Sequence, residues 1–436
     1  MILERQDENQ GGAGKMPGFA GGNSAKVSAL ANRVAAAHSG EYGTGEVAVA
    51  VAPGRFHLMG EHTWYFGGKT LSMAIDRYVC VSASVRGDDL LRFKYVDTGE
   101  SKKINLSALR FRKEDKWANA IKCVIFGFVS AHVIERIEDI PGMDFCVSSE
   151  IQPSSGLGIT TAMKVCAAYA INSLLSLECS DSEILAAIDR GNVEFLKEKN
   201  ENHFAENVTA MFSEPGALVL TDHSKSVPFS SSSFGIMGVG FEGKNVLLVD
   251  AKVPRVSVWN ESSVMSGEYY DALASLRIER SDVLGGWTYE DDRSEVNAVL
   301  SSMPEDIRRH LYAVMTEHRC VLDACSALSR NDYASFARSV NASHEAMTEL
   351  YDISCPEIDW ILKRLVEINP KPDRNHNPVC CGRITGQGFG RCLYAVLDDE
   401  NIPEFNERLY EYTKIFGFKT SCYAVHPSAG VFVMRF

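Results

Sequence analysis

From Thr160 to Leu177 the chain reads TTAMKVCAAYAINSLLSL, a helical run that is apolar on nearly every side. A helix at a protein surface needs only an apolar stripe, so one that is apolar all round belongs inside a core. Just before it comes the small-residue loop PSSGLG, and before that DFCVSSEI (Asp144 to Ile151), which reads as a strand. Strand, loop and buried helix form one unit. The first N–H groups of such a helix, together with its dipole, can receive a phosphate. A plain strand-to-helix turn explains the same residues, and this segment alone does not choose between the two.

Other elements surround that unit. KVSALANRVAAAHSG, from Lys26, reads as a helix closed by Gly40, and Val47 to Ala52 as a strand ending at a Pro53-Gly54 turn. Asp76 to Val85 is a β-branched alternating strand, and Trp117 to His132 is apolar at helical spacing. Strands follow at Gly216 to Thr221 and Asn245 to Val253, then acid-rich helices from about Gly267 to Leu365. Val379 to Leu397 runs from a Cys-Cys pair through GRITGQGFGRC into the strand CLYAVL. Cys422 to Phe436 reads as a closing strand pair with its turn at HPSAG. Mixed strands and helices in two halves make the class α+β, with lobes at 25–225 and 226–436. Residues 1–24, rich in Gly, Ala and polar side chains, read as a flexible tail.

Composition removes several functions. A net charge of −13 argues against nucleic acid as a partner, since phosphates need basic patches. No apolar run is long enough to span a membrane, and MILERQDENQGG has acids where a signal peptide needs basic and apolar residues. The twelve cysteines lie mostly in apolar runs such as FCVSS, with no CxxC pair and no zinc spacing. They read as reduced thiols of a cytoplasmic protein.

Three glycine-bearing stretches stand far apart: APGRFHLMGEH at 52–62, SSGLGITTA at 154–162 and GRITGQGFG at 382–390. The last, with Gly386, Gly388 and Gly390, lets the backbone approach a ligand or another backbone closely. Together they resemble one family. APGRFHLMGEHTWYFGGKTLSMAID is similar to the galactokinase signature APGRxNLxGEHTDYNxGxxLPxAI, and GRITGQGFGRC to that family's GxRMTGGGFGGC. WANAIKCVI is similar to its WANYVKGVI, and SHEAMTELYDISCPEIDWI, from Ser343, to its SHxSLRDDYEVSCPELDxL. The resemblance runs in order from about residue 25 to the C-terminus and identifies the chain as a GHMP small-molecule kinase of the galactokinase branch.

That resemblance implies a two-lobed GHMP kinase fold, its N-terminal lobe resembling ribosomal protein S5, with the active site between the lobes. The activity it implies is transfer of the γ-phosphate of ATP, with Mg²⁺, to the anomeric hydroxyl of galactose. The same resemblance implies roles for single residues. Arg55 matches the arginine beside the catalytic acid, and Glu61 and His62 match the sugar-contacting pair of GEH. The alternative for His62 is a satisfied structural histidine, which its matched neighbours make the weaker reading. Trp64 stands where the family has an Asp that accepts sugar hydroxyls. The phosphate loop PLGGGLSSSASLEVA aligns with QPSSGLGITTAMKVC. Gly156 and Leu157 are retained, Gly158, Thr160 and Thr161 stand in place of Ser, Ser and Ala, and a threonine hydroxyl, that of Thr160 first, is available to the metal. HFAENVTAMFSEPGALVLTD aligns with GxMDQFISLMGxxGHALLID, which puts Glu206 on the catalytic Asp and His203 on a glycine close to sugar. Glu206 read alone is equally a solvated helix carboxylate. Gln387 and Arg391 replace glycines of the third motif, which is largely architectural.

Because the departures fall on base, sugar reader and phosphate loop, three readings stay open. One is a galactokinase, one a kinase for a different small substrate, and one a non-catalytic sensor, regulator or binding module with a protein partner.

Overall fold

The computed structural model describes residues 22–64, 67–152, 155–198, 203–226, 229–239, 243–254, 301, 303–368, 378–386, 388 and 392–436. Their elements begin with α1 (Gly22–Tyr42), β1 (Ala48–Met59), β2 (Lys69–Val85), β3 (Leu90–Tyr95), β4 (Ser101–Asn105), α2 (Ala118–Ser130) and β5 (Met143–Ser149). Next come α3 (Ile159–Leu174), α4 (Asp181–Arg190), α5 (His203–Phe212), β6 (Ala217–Asp222), β7 (Phe234–Gly238) and β8 (Lys244–Asp250). The remainder are α6 (Glu305–Ser329), α7 (Tyr333–Glu349), α8 (Pro356–Val366), β9 (Cys381–Ile384), β10 (Cys392–Asp398), α9 (Ile402–Phe416), β11 (Ser421–Val425) and β12 (Phe432–Arg435). They form two compact units. The first is built from described residues within Gln6–Arg55, Ala74–Pro215 and Pro427–Phe436, the second from those within Phe56–Met73 and Gly216–His426.

In the first unit the strands lie in the order β12-β1-β2-β5-β3-β4. β12 is antiparallel to β1, from Ala48↔Arg435 to Val51↔Phe432, and β3 runs parallel to β5. Helix α1 buries Val27, Leu30, Ala31, Val34 and Ala35, spaced three and four apart, against Val47, Val49, Val51, Tyr78, Cys80 and Cys146. α3 is buried along Thr161–Ala168 and again at Ala170 and Ile171, as its all-round apolar sequence requires. It packs on α2 and α5.

Two expected turns are absent. β1 does not stop at Pro53-Gly54 but continues to Met59. Pro53 lies beyond Val51, the last residue paired with β12, so its missing N–H interrupts no bond of that ladder. Gly54 leaves room for the segment after β5: a Cβ there would come 2.7 Å from Ile151 Cδ1 and 2.9 Å from the Leu157 carbonyl. Likewise, Cys422 to Phe436 is not a hairpin, since β11 pairs with β8 and β12 with β1. Within the first unit, Pro427 bridges to Ile75, and Ser428 donates its N–H to Ala74 O (3.1 Å) and shares a 2.8 Å hydrogen bond with the Tyr78 hydroxyl. These bonds draw HPSAG along β2 instead of letting it reverse. α1 also runs past Gly40 to Tyr42.

The second unit has a four-stranded antiparallel sheet, β11-β8-β10-β9. Its core joins Leu247 and Val249 of β8 and Leu393, Ala395 and Leu397 of β10 to Leu311, Met347, Ile361 and Phe405 from α6, α7, α8 and α9. The expected helices before residue 300 lie outside the described residues, as do Gln387, Phe389, Gly390 and Arg391 of the third motif. Gly388, with φ +100°, sits against Ile353, whose Cβ would be 2.5 Å from an added Cβ, so the close approach expected of this loop is made to a side chain of its own unit. Among the described residues no helix is long and apolar enough to cross a membrane.

Candidate functional site

In the first unit, Arg55, the loop before α3 and Glu206 come together. β1 delivers Arg55 beside the loop because its N–H donates to Leu157 O at 2.9 Å, while Nη1 reaches Gly156 O at 3.4 Å. Its guanidinium is ion-paired with Glu206 Oε1. The other carboxylate oxygen, Oε2, accepts the Thr161 hydroxyl at 2.6 Å. Glu206 lies in the first turn of α5, where the helix dipole favours an acid. Its side chain is only 15 % exposed, so it is a held carboxylate rather than a solvated one.

Gly158 makes this geometry possible. It caps α3 with φ +76°, and a Cβ would lie 3.0 Å from Arg55 Nε and 3.1 Å from Arg55 Cγ. No side chain caps α3, whose first amides have no intrahelical partner. Gly156, at φ +75°, faces open space, Leu157 is buried, and Thr160 is exposed. Thr161, expected at the phosphates, instead directs its hydroxyl to Glu206.

His203 begins α5 and is buried, its Nε2 3.6 Å from Glu198 Oε2. Burial, and after it the nearby Lys164 charge, holds its imidazole below the usual histidine range. Lys164, one turn into α3, donates to Asn192 Oδ1 (2.6 Å) and Glu198 Oε2 (3.2 Å). Among the described residues no three His, Cys, Asp or Glu side chains converge as metal ligands. Thr160, in the first turn of α3, is exposed beside the loop that precedes that helix.

Glu61, His62 and Trp64 belong to the second unit, in a tight turn leaving β1. Gly60 has φ +85°, and a Cβ there would lie 2.3 Å from Lys69 O, so only glycine fits. The Thr63 hydroxyl donates to Lys69 O at 2.7 Å, closing the turn. Glu61 is 3 % exposed, and its Oε2 is 3.8 Å from His57 Nε2. His57 Nδ1 in turn meets Ser72 Oγ at 2.7 Å. His62 packs edge-on against Tyr351, with ring centroids 4.7 Å apart. The half-buried Trp64 packs on the apolar core that includes Tyr351 and Ile353. Its indole N–H is a donor only, so the position has lost the acceptor that an Asp would supply.

Sequence reasoning missed several neighbours. His57 occupies the Asn position of the pattern APGRxNL, a signal visible once the two are aligned. Lys164, Asn192 and Glu198 left no local mark, because they meet only through the packing of α3 beside the segment after α4.

Comparison with known proteins agrees with the motifs. The galactokinase galactose-binding signature matches residues 36–85, and the GHMP kinases N terminal domain matches residues 119–213. A protein of Treponema pallidum named "Putative galactokinase" is 35% identical over 408 residues, covering 92% of this chain and 96% of that protein. The galactokinase of Thermotoga petrophila is 26% identical over 381 residues, covering 87% and 98%. Among solved structures, Lactococcus lactis galactokinase complexed with galactose superposes with TM-score 0.79 at 19% identity, covering 93% of this chain and 99% of that one. Methanococcus jannaschii mevalonate kinase gives TM-score 0.57 at 16% identity, covering 87% and 98%. These two likenesses show a GHMP kinase fold.

Proposed function

This chain belongs to the galactokinase family of GHMP kinases, and we propose that it works as one, moving the γ-phosphate of ATP to the anomeric hydroxyl of galactose. The observation that carries the reading is the Glu206 carboxylate, held by Arg55 on one oxygen and by Thr161 on the other. A glutamate is one methylene longer than the family's aspartate, and misplacing a catalytic group by about 1 Å can cost on the order of a hundredfold in rate. Two fixed contacts remove the freedom that the extra methylene would bring.

In this reading Glu206 receives the proton of the anomeric hydroxyl, and Arg55 orients it and counters charge on the phosphoryl group in flight. The α3 N-terminus has no side-chain cap, and its amides, with Gly156, Leu157, Gly158 and Thr160, are assigned to the nucleotide phosphates. Thr160 would be the residue of this chain that helps hold Mg²⁺, which would supply neutralisation of the phosphate oxygens. Thr161 reaches the nucleotide side of the site through Glu206. Glu61 and His62 take sugar hydroxyls, while Trp64 and His203 shape the sugar pocket. None of the twelve cysteines is joined in a disulfide, which suits a reducing cytoplasmic setting.

The test is ADP release from Mg-ATP, with and without galactose, at high enzyme concentration. The wild type should release galactose-dependent ADP, and Glu206→Gln should lose it while staying folded and keeping its thermal shift with ATP, at a lowered melting temperature because Arg55 loses its anion. A wild type that binds ATP yet shows no galactose-dependent turnover would defeat the proposal.

A further inference from the structure

Within the second unit, Glu317 of α6 is a carboxylate with no solvent exposure, held by donors from three other segments. Oε1 accepts Arg383 Nη2 of β9 at 2.8 Å and also the backbone N–H of Gly60. Oε2 accepts the hydroxyl of Ser343 in α7. Arg383 Nε donates to that same hydroxyl oxygen at 2.7 Å, and Nη1 donates to Ile384 O at 2.8 Å. Arg383 and Ser343 are as fully buried as Glu317.

A buried ion pair is poor evidence of stabilisation, because desolvating both charges offsets most of their attraction. What marks this one is its third partner. Two of the donors are side chains of the unit's own core, whereas the third is the amide immediately before Glu61 and His62. The same Gly60 residue is fixed at its carbonyl as well, which accepts the Thr70 hydroxyl at 2.8 Å and the Thr63 N–H at 3.3 Å. Its positive φ and the 2.3 Å that would separate an added Cβ from Lys69 O show how closely the turn folds on itself here. The direction in which Glu61 and His62 leave the backbone depends on the two peptide units that meet at the Gly60 Cα: Glu317 holds the N–H of the first, Met59–Gly60, and the Thr70 hydroxyl holds the carbonyl of the second, Gly60–Glu61.

We propose that Glu317, backed by Ser343 and Arg383, is a positioning residue for the Glu61–His62 pair, coupling the sugar-reading turn to α6, α7 and β9. This rests on the galactokinase function proposed for the chain, in which that pair takes sugar hydroxyls. A charged acceptor is needed because a hydrogen bond to a carboxylate is about twice as strong as one to a neutral carbonyl, so it holds a backbone amide more tightly.

Two variants test it. Glu317→Gln keeps the shape but removes the charge, and it leaves Arg383 buried without an anion, which can itself unfold the unit. Ser343→Ala keeps the ion pair and removes only the hydroxyl that orients it. Amide hydrogen exchange needs no substrate and is read first. Peptides covering residues 58–64 should exchange about tenfold faster in Ser343→Ala, and faster still in Glu317→Gln if it folds, while those of β5 stay unchanged. In turnover, the KM for galactose should rise about tenfold with the KM for ATP unchanged. The proposal is overturned by unchanged exchange at 58–64, by exchange that rises equally everywhere, or by a lowered melting temperature with an unaltered galactose KM. Wild-type galactose turnover, measured beside these, judges the galactokinase function separately.

Discussion

Replacing Gly158 by alanine tests whether the α3 loop controls Arg55. The residue sits at φ +76°, where a side chain costs about 1–2 kcal/mol in backbone strain. Its Cβ would also meet Arg55 at 3.0 Å (Nε), 3.1 Å (Cγ) and 3.3 Å (Cζ), distances at which a neighbour must give by a few tenths of an ångström. Arg55 has little freedom to give. It is 6 % exposed, its N–H is committed to Leu157, and its guanidinium is committed to Glu206. The displacement should therefore reach the Glu206 carboxylate. If about 1 Å costs a hundredfold, a few tenths should lower kcat by roughly threefold to tenfold. Gly156→Ala is the matched comparison, since φ there is +75° but nothing lies within 4 Å of the new Cβ. Urea unfolding should show both variants destabilised by about 1 kcal/mol. Single-turnover kinetics with saturating Mg-ATP and galactose should show the additional loss in Gly158→Ala. Equal kcat values in the two variants would refute the idea that contact with Arg55, rather than backbone strain, carries the effect.

Trp64→Asp should not improve galactose turnover by more than about threefold, because the indole packs on an apolar core that a carboxylate cannot join without penalty. A lower melting temperature should accompany it, and a large gain in kcat/KM for galactose would show that the indole alone sets the sugar pocket. His38, hydrogen-bonded to Ser82 and Ser84, is lowered by burial from 6.5 to about 4, with Asp144 opposing that shift and Arg92 adding to it. The unfolded chain therefore takes up this proton first as pH falls. The stability associated with the neutral ring is whole above about 6.5 and is lost progressively towards 4. By pH 5 the loss should be about 2 kcal/mol. Urea unfolding at pH 7 and pH 5 should show it in the wild type and a flatter response in His38→Gln, and identical slopes would contradict the assignment.

What could be read from residues alone was what depends on residue identity. Arg55, Glu61 and His62 stand at short fixed spacings in one motif, so they could be picked out as candidates, and the all-round apolar α3 can only be buried. Pairings between distant segments were not readable in the same way. Pro53-Gly54 has the composition of a turn, yet Gly54 serves to admit the Ile151–Leu157 segment, which no local window contains. HPSAG likewise looks like a hairpin turn until the Tyr78–Ser428 bond shows what holds it straight. Glu317 gave no signal at all, being one acid in an acid-rich helix; its partners lie in the GEH turn, in the SHEAM helix and in GRITG. Glu206 fell between these cases. Alignment placed it, but its two anchors decide whether a longer side chain can stand in for aspartate.

The pairing of β12 with β1 bears on how the molecule is made. The strand that carries Arg55 is synthesised early, while the edge partner of its residues Ala48–Val51 is translated hundreds of residues later. Closing so distant a contact is slow, because its loop entropy must be met before the pairing returns anything. Until then the backbone of Ala48–Val51 has an open edge able to recruit a foreign strand. Nascent chains should accordingly depend on chaperone protection through most of translation, and kinase activity should appear only after the C-terminal strand has left the ribosome.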